Sequence, residues 1–420
     1  MPRYRSLFRT PEFGPLFLGS AAQTAAQTVG GLALATLVYR ATGSPLLSAV
    51  SMFGPSLAQV LGATFLLSGA DRLPPRTALT AIALVFAAGT AAQALPGLPV
   101  GAVFGVVLVL GLVASLGGGV RWGLLNEVLG KDSYLPGRSL FNMMSGLMQI
   151  TGFATGGALL AALSPRVCLL LSAALYLTAA LVLRLGLTDR PPRTAGRPSP
   201  SATWRTNALL WSSRPRRLTY LGLWLPNGMV VGCESLYVPY APHAAGTLFA
   251  CGAFGMFAGD VTVGRLLPRA VRRRLATPLL LLLATPYLVF WARPPLPVAA
   301  VCVTIASVGF GASLVQQQRL MDLTPGGLAG QALGLHSSGM LTMQGVGASL
   351  AGAVAQVTSP AAGMTVMAAG SVCVTLALAT AGRRSPVPVP VLESAGARRG
   401  RRRSSGRPGR SSGGARPGRA

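Results

Sequence analysis

Glu234 and Asp260 are the residues best placed to do chemistry, because each sets a carboxyl group inside a long apolar stretch. A charge at mid-bilayer costs roughly 2.5–3.5 kcal/mol on insertion scales, so an acid kept there is usually functional or paired. Either acid can take up a proton and release it as its surroundings change, which is the chemistry of proton coupling. At 1.5 Å per residue, Glu234 lies about 24 Å along its stretch from the basic end, and Asp260 about 10 Å along the next. Roughly 15 Å of depth then separates them, too much for a carboxyl pair sharing one proton. Asp260 has a competing use as the ion-pair partner of Arg265, five residues on. Glu234 has no basic residue within its stretch, and proton binding or attraction of a cationic substrate is expected there. Glu127 and Asp322 stand at span ends near Lys131 and Arg319, where pairing in solvent is the plainer reading.

Uncharged polar residues complete the candidate set. Gln23 and Gln27 are one helical turn apart and share a face. Asn142 and Gln149, seven residues apart, can do the same; Asn227, Gln344 and His336 join them. Lining a substrate cavity is one use for these groups. The other is hydrogen bonding between helices, worth about 0.6 kcal/mol each. Tyr220, Trp224, Tyr237 and Tyr240 are equally readable as cavity aromatics or as anchors at the membrane interface. No nucleophile–base pair, metal-type spacing or phosphate-binding glycine loop is present, and the five cysteines are isolated. The chain is therefore expected to be no enzyme, and to use no cofactor and no metal.

The elements that must carry these residues follow from composition. Half of the 420 residues are hydrophobic and only 11% are charged, far from the balance of a soluble domain. A spanning helix needs about 20 mostly apolar residues. Twelve such spans are read at 14–39, 46–68, 77–95, 99–120, 139–163, 166–187, 218–240, 245–267, 275–292, 296–316, 330–357 and 360–381. The expected domains are a six-helix bundle over 1–187, a polar cytoplasmic linker over 188–217, a second bundle over 218–381, and a disordered Arg-rich tail over 382–420. The net charge of +27 does not mark a nucleic-acid partner, because the basic residues gather at span ends and in the linker and tail. With the N-terminus placed inside, 33 of the 36 basic residues are inner and only Arg40, Arg166 and Arg293 are outer. That asymmetry predicts a multi-pass cell-membrane protein with both termini cytoplasmic, a retained first helix, and a basic tail suited to anionic lipids.

Two of the spans repeat each other. Asn142 to Pro165 and Ser337 to Pro360, laid together without a gap, share seven of 24 positions: Met148/Met343, Gln149/Gln344, Gly152/Gly347, Gly157/Gly352, Ala158/Ala353, Ser164/Ser359 and Pro165/Pro360. Gly152, Gly156, Gly157, Gly347 and Gly352 are expected to let helix backbones pack closely where two halves rock. The loop after the second span, Gly69-Ala70-Asp71-Arg72-Leu73-Pro74-Pro75-Arg76, resembles the inner-loop signature of the major facilitator superfamily, with Asp71, Arg72 and Arg76 matching. Gly152-Phe153-Ala154-Thr155-Gly156-Gly157 is similar to the Gly-Pro-x-x-Gly-Gly segment of that family's twelve-helix drug exporters, with Phe153 in place of the proline. The stretch from Arg121 to Arg138 also looks like the family's loop between helices 4 and 5. The resemblance covers roughly residues 10–382. It implies an all-α membrane protein of two pseudo-symmetric six-helix bundles, a monomer alternating access to a central site. Its expected activity is proton-coupled export of a small lipophilic molecule, with import of a small nutrient as the alternative. It also implies an inner gate at Asp71, Arg72 and Arg76, with Asp71 set against a helix N-terminus.

Overall fold

The computed structural model describes residues 4–70, 74–191, 200–325 and 328–383. Asp71, Arg72, the middle of the linker and the basic tail lie outside the described residues. Among those described, every regular element is a helix. Long apolar runs have no water to satisfy backbone N–H and C=O groups, so they satisfy them within the segment. The helices in order are α1 (Tyr4–Leu7), α2 (Phe13–Thr42), α3 (Pro45–Ala70), α4 (Pro75–Gln93), α5 (Val100–Ala162), α6 (Pro165–Gly186), α7 (Pro200–Ser212) and α8 (Arg214–Ser235). After these come α9 (Tyr237–Tyr240), α10 (Ala245–Val261), α11 (Arg269–Arg274), α12 (Ala276–Ala284), α13 (Leu296–Val308), α14 (Ala312–Asp322), α15 (Ala329–Val357) and α16 (Pro360–Arg383).

Local chemistry sets several boundaries. Proline opens α3, α4, α6 and α16, where its missing N–H costs nothing. The repeated Ser-Pro pair is a helix start in both copies. The Ser164 hydroxyl accepts from the Val167 amide at 3.4 Å, and that of Ser359 from the Ala362 amide at 3.2 Å. Gly43 ends α2 at a φ of 64°, a left-handed turn that glycine adopts freely.

The 63 helical residues of α5 do not run straight. The Trp122 and Phe141 rings lie 5.9 Å apart, whereas a straight helix would separate them by about 28 Å. Arg138 also sits over the Trp122 ring at 5.3 Å. The chain turns back between these residues, giving a first arm over 100–129 and a second arm beyond it, the fourth and fifth spans of the sequence. Three other spans are broken: a π turn (Thr262–Leu266) follows α10, a 3-10 segment (Thr285–Ala292) follows α12, and another (Gly309–Gly311) joins α13 to α14.

Six helices among the described residues are long and apolar enough to cross a membrane: Pro75–Gln93, Val100–Leu129, Pro165–Gly186, Ala245–Leu266, Leu296–Asp322 and Pro360–Gly382. Of the remaining sequence spans, 275–292 falls on a shorter apolar helix, Ala276–Ala292, and others fall on helices rich in Gly, Ser, Thr and Gln, such as α2 and α15. Their polar groups are satisfied in place. The Thr24, Thr28 and Thr36 hydroxyls each donate to the carbonyl one turn back.

The polar linker carries a helix of its own. Residues 200–212 are helical and docked, because Gln331 donates to Asn207 at 3.0 Å and Trp211 stacks on Trp224 at 5.7 Å. Arg216 then donates to the Leu209 carbonyl at 3.0 Å, at the end of α7. The next helix starts at Arg214 rather than 218.

Candidate functional site

Of the repeated glycines, Gly157 and Gly352 lie where helices from the two sequence halves cross. A Cβ on Gly157 would lie 2.6 Å from the Gly246 Cα, and one on Gly352 would lie 2.7 Å from the Leu46 Cα. Within each half, a Cβ on Gly152 would meet Thr28 Cβ at 2.9 Å, and one on Gly347 would strike the Gly228 backbone. The two copies thus make equivalent contacts: α5 against α10 and α2, α15 against α3 and α8. Gly156 differs, with its nearest neighbour atom at an ordinary 3.5 Å. Phe153, which replaces the exporters' proline, stacks on Phe249 of α10 at 4.6 Å.

These crossings seal one end of the interface between the halves. Ser44, after α2, donates to Gln356 near the end of α15 at 2.7 Å. Leu32 and Ala35 of α2 join one buried apolar cluster with Val230, Leu236, Tyr237 and Leu248. Toward the other end, Gln149, Thr151 and Asp260 are exposed.

Glu234 lies at the end of α8, only 8% exposed, and its Oε1 has no hydrogen-bond partner. Among the described residues it has no ion pair. Three residues on, the Tyr237 hydroxyl hydrogen-bonds that of Tyr287. Tyr220 is fully buried too, donating to the Ala332 carbonyl at 3.2 Å. Anchoring at the lipid–water interface is thereby ruled out for Tyr220 and Tyr237, whose rings pack inside the helices. Asp260 is exposed on the face of α10 that also carries Phe249 and Ala253. Arg265, the ion-pair partner weighed for it, points to the Met143 sulfur at 3.9 Å. The two acids therefore occupy different settings, one sealed and one open.

Of the uncharged set, Gln344 donates to Asn227 at 3.2 Å, joining α15 to α8. Gln149, its repeat counterpart, is exposed, as is Gln27. His336 is buried beside Gln317, 3.3 Å away, and its backbone carbonyl accepts from Trp224. Asn142 sits within the α5 helical run, and its side chain is not among those described. At the loop after α3, Arg76 donates to the Arg184 carbonyl at 2.9 Å; Asp71 and Arg72 lie outside the described residues.

Two groups escape a reading of the sequence. Arg121 follows the last apolar residue of the fourth span, and so reads as a loop residue. The helix continues to Leu129, and Arg121 donates inward to Gln23 at 2.5 Å. Gln23 is ten residues into α2, about 15 Å from its start. The chain thus holds a cation inside the helical layer. Glu12 is the second. Its carboxylate accepts from the amide of Thr188 at 2.7 Å, from the Thr188 hydroxyl, and from Arg190. Arg190 also reaches Glu127 at 3.6 Å, so Glu127 pairs with the end of α6. Burial works to raise the Glu12 pKa, but the Thr188 hydrogen bonds and the Arg190 charge outweigh it and hold the carboxyl below its ordinary value. The stability it contributes is present above the unfolded pKa and is lost as pH falls through the lower folded one.

No sequence-family model and no curated protein matches the chain. Solved structures do. The nucleoside transporter NupG superposes with a TM-score of 0.72 at 14% identity, over 88% of this chain and 99% of that one. A peptide transporter POT in complex with sulfate gives 0.68 at 15% identity, over 91% and 99%. A bacterial homologue of the human lysosomal transporter Spinster, inward-facing and unoccupied, gives 0.65 at 14%, over 91% and 96%. The chain has the fold of these transporters.

Proposed function

We propose that this chain is a secondary active transporter of the cell membrane, in which two six-helix bundles made of twelve spans alternate access to a central site. The observation that carries this reading is the asymmetry of the interface between the halves. Glycine crossings close one end, while polar and acidic side chains are exposed toward the other. With the basic residues placed inside, the closed end is outer and this state is inward-facing. Glu234 supplies the proton site: a buried carboxyl with no basic partner gains or loses charge when solvent reaches it from a new side. Asp260, exposed on the open side, is a second proton or substrate-binding group. Gln23, Gln27, Asn142, Gln149, Asn227 and Gln344 contribute polar contacts along the passage. Asp71, Arg72 and Arg76 gate its inner end, and the cytoplasmic tail meets anionic lipid. The solved neighbours bind nucleosides and peptides by their names, which supports a small organic substrate here.

Export against the proton gradient is the direction we propose. Uptake of a small nutrient is the second reading, favoured by Arg121, because a fixed cation in the passage suits an anionic substrate group. Membrane vesicles of defined polarity, loaded with a panel of lipophilic drugs and anionic metabolites, separate the two. Export predicts drug movement toward the acidic side that stops when the proton gradient is collapsed. Movement of anionic metabolites with the protons, lost on Arg121→Ala, would instead establish uptake. Movement unaffected by collapsing the gradient would remove proton coupling altogether.

A further inference from the structure

The first half contains a half-open cavity of about 90 Å³ lined by α2, α3, α4, the first arm of α5 and α6. Gly31 opens its wall on α2, and Gln27 stands exposed at its edge. The Phe86 and Tyr176 rings, 5.2 Å apart, form another wall. None of the lining residues is charged. Two of the lining hydroxyls are already committed: Ser51 donates to the Ser48 carbonyl at 2.7 Å, and Ser172 donates to that of Ala26. Gln93 is different. It is 4% exposed, and its Nε2 has no hydrogen-bond partner. A buried amide donor is costly to leave unmet, so it takes an acceptor from whatever enters. An ion entering this uncharged space would lose its hydration without finding a countercharge, whereas a neutral group loses far less.

We propose that this cavity is a substrate subsite for an uncharged, hydrogen-bond-accepting group carried on a flat ring, such as an aryl carboxamide or ketone. Gln93 Nε2 donates to the carbonyl oxygen, and the Phe86–Tyr176 pair packs against the ring. A volume of about 90 Å³ is below the ~150 Å³ of a dry cavity that takes benzene. The ring is therefore seated only in part, against Phe86 and Tyr176, and the remainder of the substrate stays in the central passage beyond Gln27. The subsite names the substrate class of the transport reading and rests on it.

Benzamide is the probe, with benzoate and toluene as comparators, measured by ligand-observed NMR on the purified full-length chain in nanodiscs. Benzamide is expected to bind and benzoate to be refused. Gln93→Leu should weaken benzamide by about tenfold while leaving toluene unchanged. Gly31→Leu should abolish benzamide binding by filling the space; a Cβ there meets no atom closer than Met52 Cγ at 3.9 Å, and thermal melting of the variant checks that the fold is kept. Equal benzamide binding by wild type and Gln93→Leu would overturn the proposal, as would no binding at all, the result for a cavity holding only water. The vesicle assay on the same protein separates the two layers. Gradient-driven transport without benzamide binding sinks the subsite alone. Benzamide binding by a protein that moves no substrate sinks the transport reading alone.

Discussion

Glu234→Gln is expected to uncouple transport from the proton gradient while the protein still inserts and folds. Glutamine keeps the shape of the side chain but cannot gain or lose a proton in this range. The surroundings offer Glu234 no compensating base: it is buried, its Oε1 is unpartnered, and the nearby Tyr237 and Tyr287 hydroxyls are bonded to each other. One charge moved across the membrane is worth about 2.3 kcal/mol per 100 mV. Loss of a single coupled proton should therefore lower the attainable substrate gradient by about fiftyfold at that potential. Downhill exchange of substrate for substrate should persist, because it needs alternating access but no net proton movement. The measurement is accumulation in energised vesicles across a pH series, with exchange measured in parallel. Wild-type pH dependence in the variant would remove Glu234 from the mechanism. Loss of exchange as well would assign it to folding or gating.

Gly347→Val is expected to abolish transport and lower thermal stability, and its contrast with Gly156→Ala makes the reason testable. At Gly347 any Cβ runs into the Gly228 backbone, which cannot yield without pushing α8 from α15. Overpacking of this kind costs about 1–3 kcal/mol in ordinary cores. It costs more where close backbone approach is itself the attraction between helices. At Gly156 the nearest atom is an ordinary 3.5 Å from an added Cβ, so alanine should be tolerated near wild-type activity. Both variants are read by thermal melting in detergent and by the vesicle assay. Equal tolerance of both would show that close approach at the repeated glycines is not what transport requires.

The helical class and the positions of the crossings were readable from residue type because bilayer physics leaves few options. A long apolar run must satisfy its own backbone, and a glycine repeated at matched places points to a backbone neighbour. Gly157, Gly347 and Gly352 meet such neighbours in the structure, while Gly152 meets the Thr28 side chain. Pairing was much less readable. Asn227 and Gln344 are visibly polar in the sequence, but nothing there says that one donates to the other. Arg121 was misplaced because the apolar run stops at Val120, while the helix continues through the mixed segment to Leu129. Its direction depends on Gln23, a residue of another helix. Glu12 was passed over because its partners, Thr188 and Arg190, are brought to it only by the packing of α2 against α6. The docked helix α7 was hidden by its Pro, Ser and Arg content. Its place is set by Trp211 against Trp224 and by Asn207 with Gln331, contacts that no local pattern reveals.

Alternating access itself is tested most directly by locking the closed end. Ser44 and Gln356 are hydrogen-bonded across it. Cysteines placed at both positions, in a chain freed of its own reactive cysteines, can be joined by a short bis-methanethiosulfonate linker that a reductant cleaves. The expected result is transport that stops on crosslinking and returns on reduction, with either single cysteine unaffected. Full-rate transport by the crosslinked protein would contradict a mechanism in which this end must open.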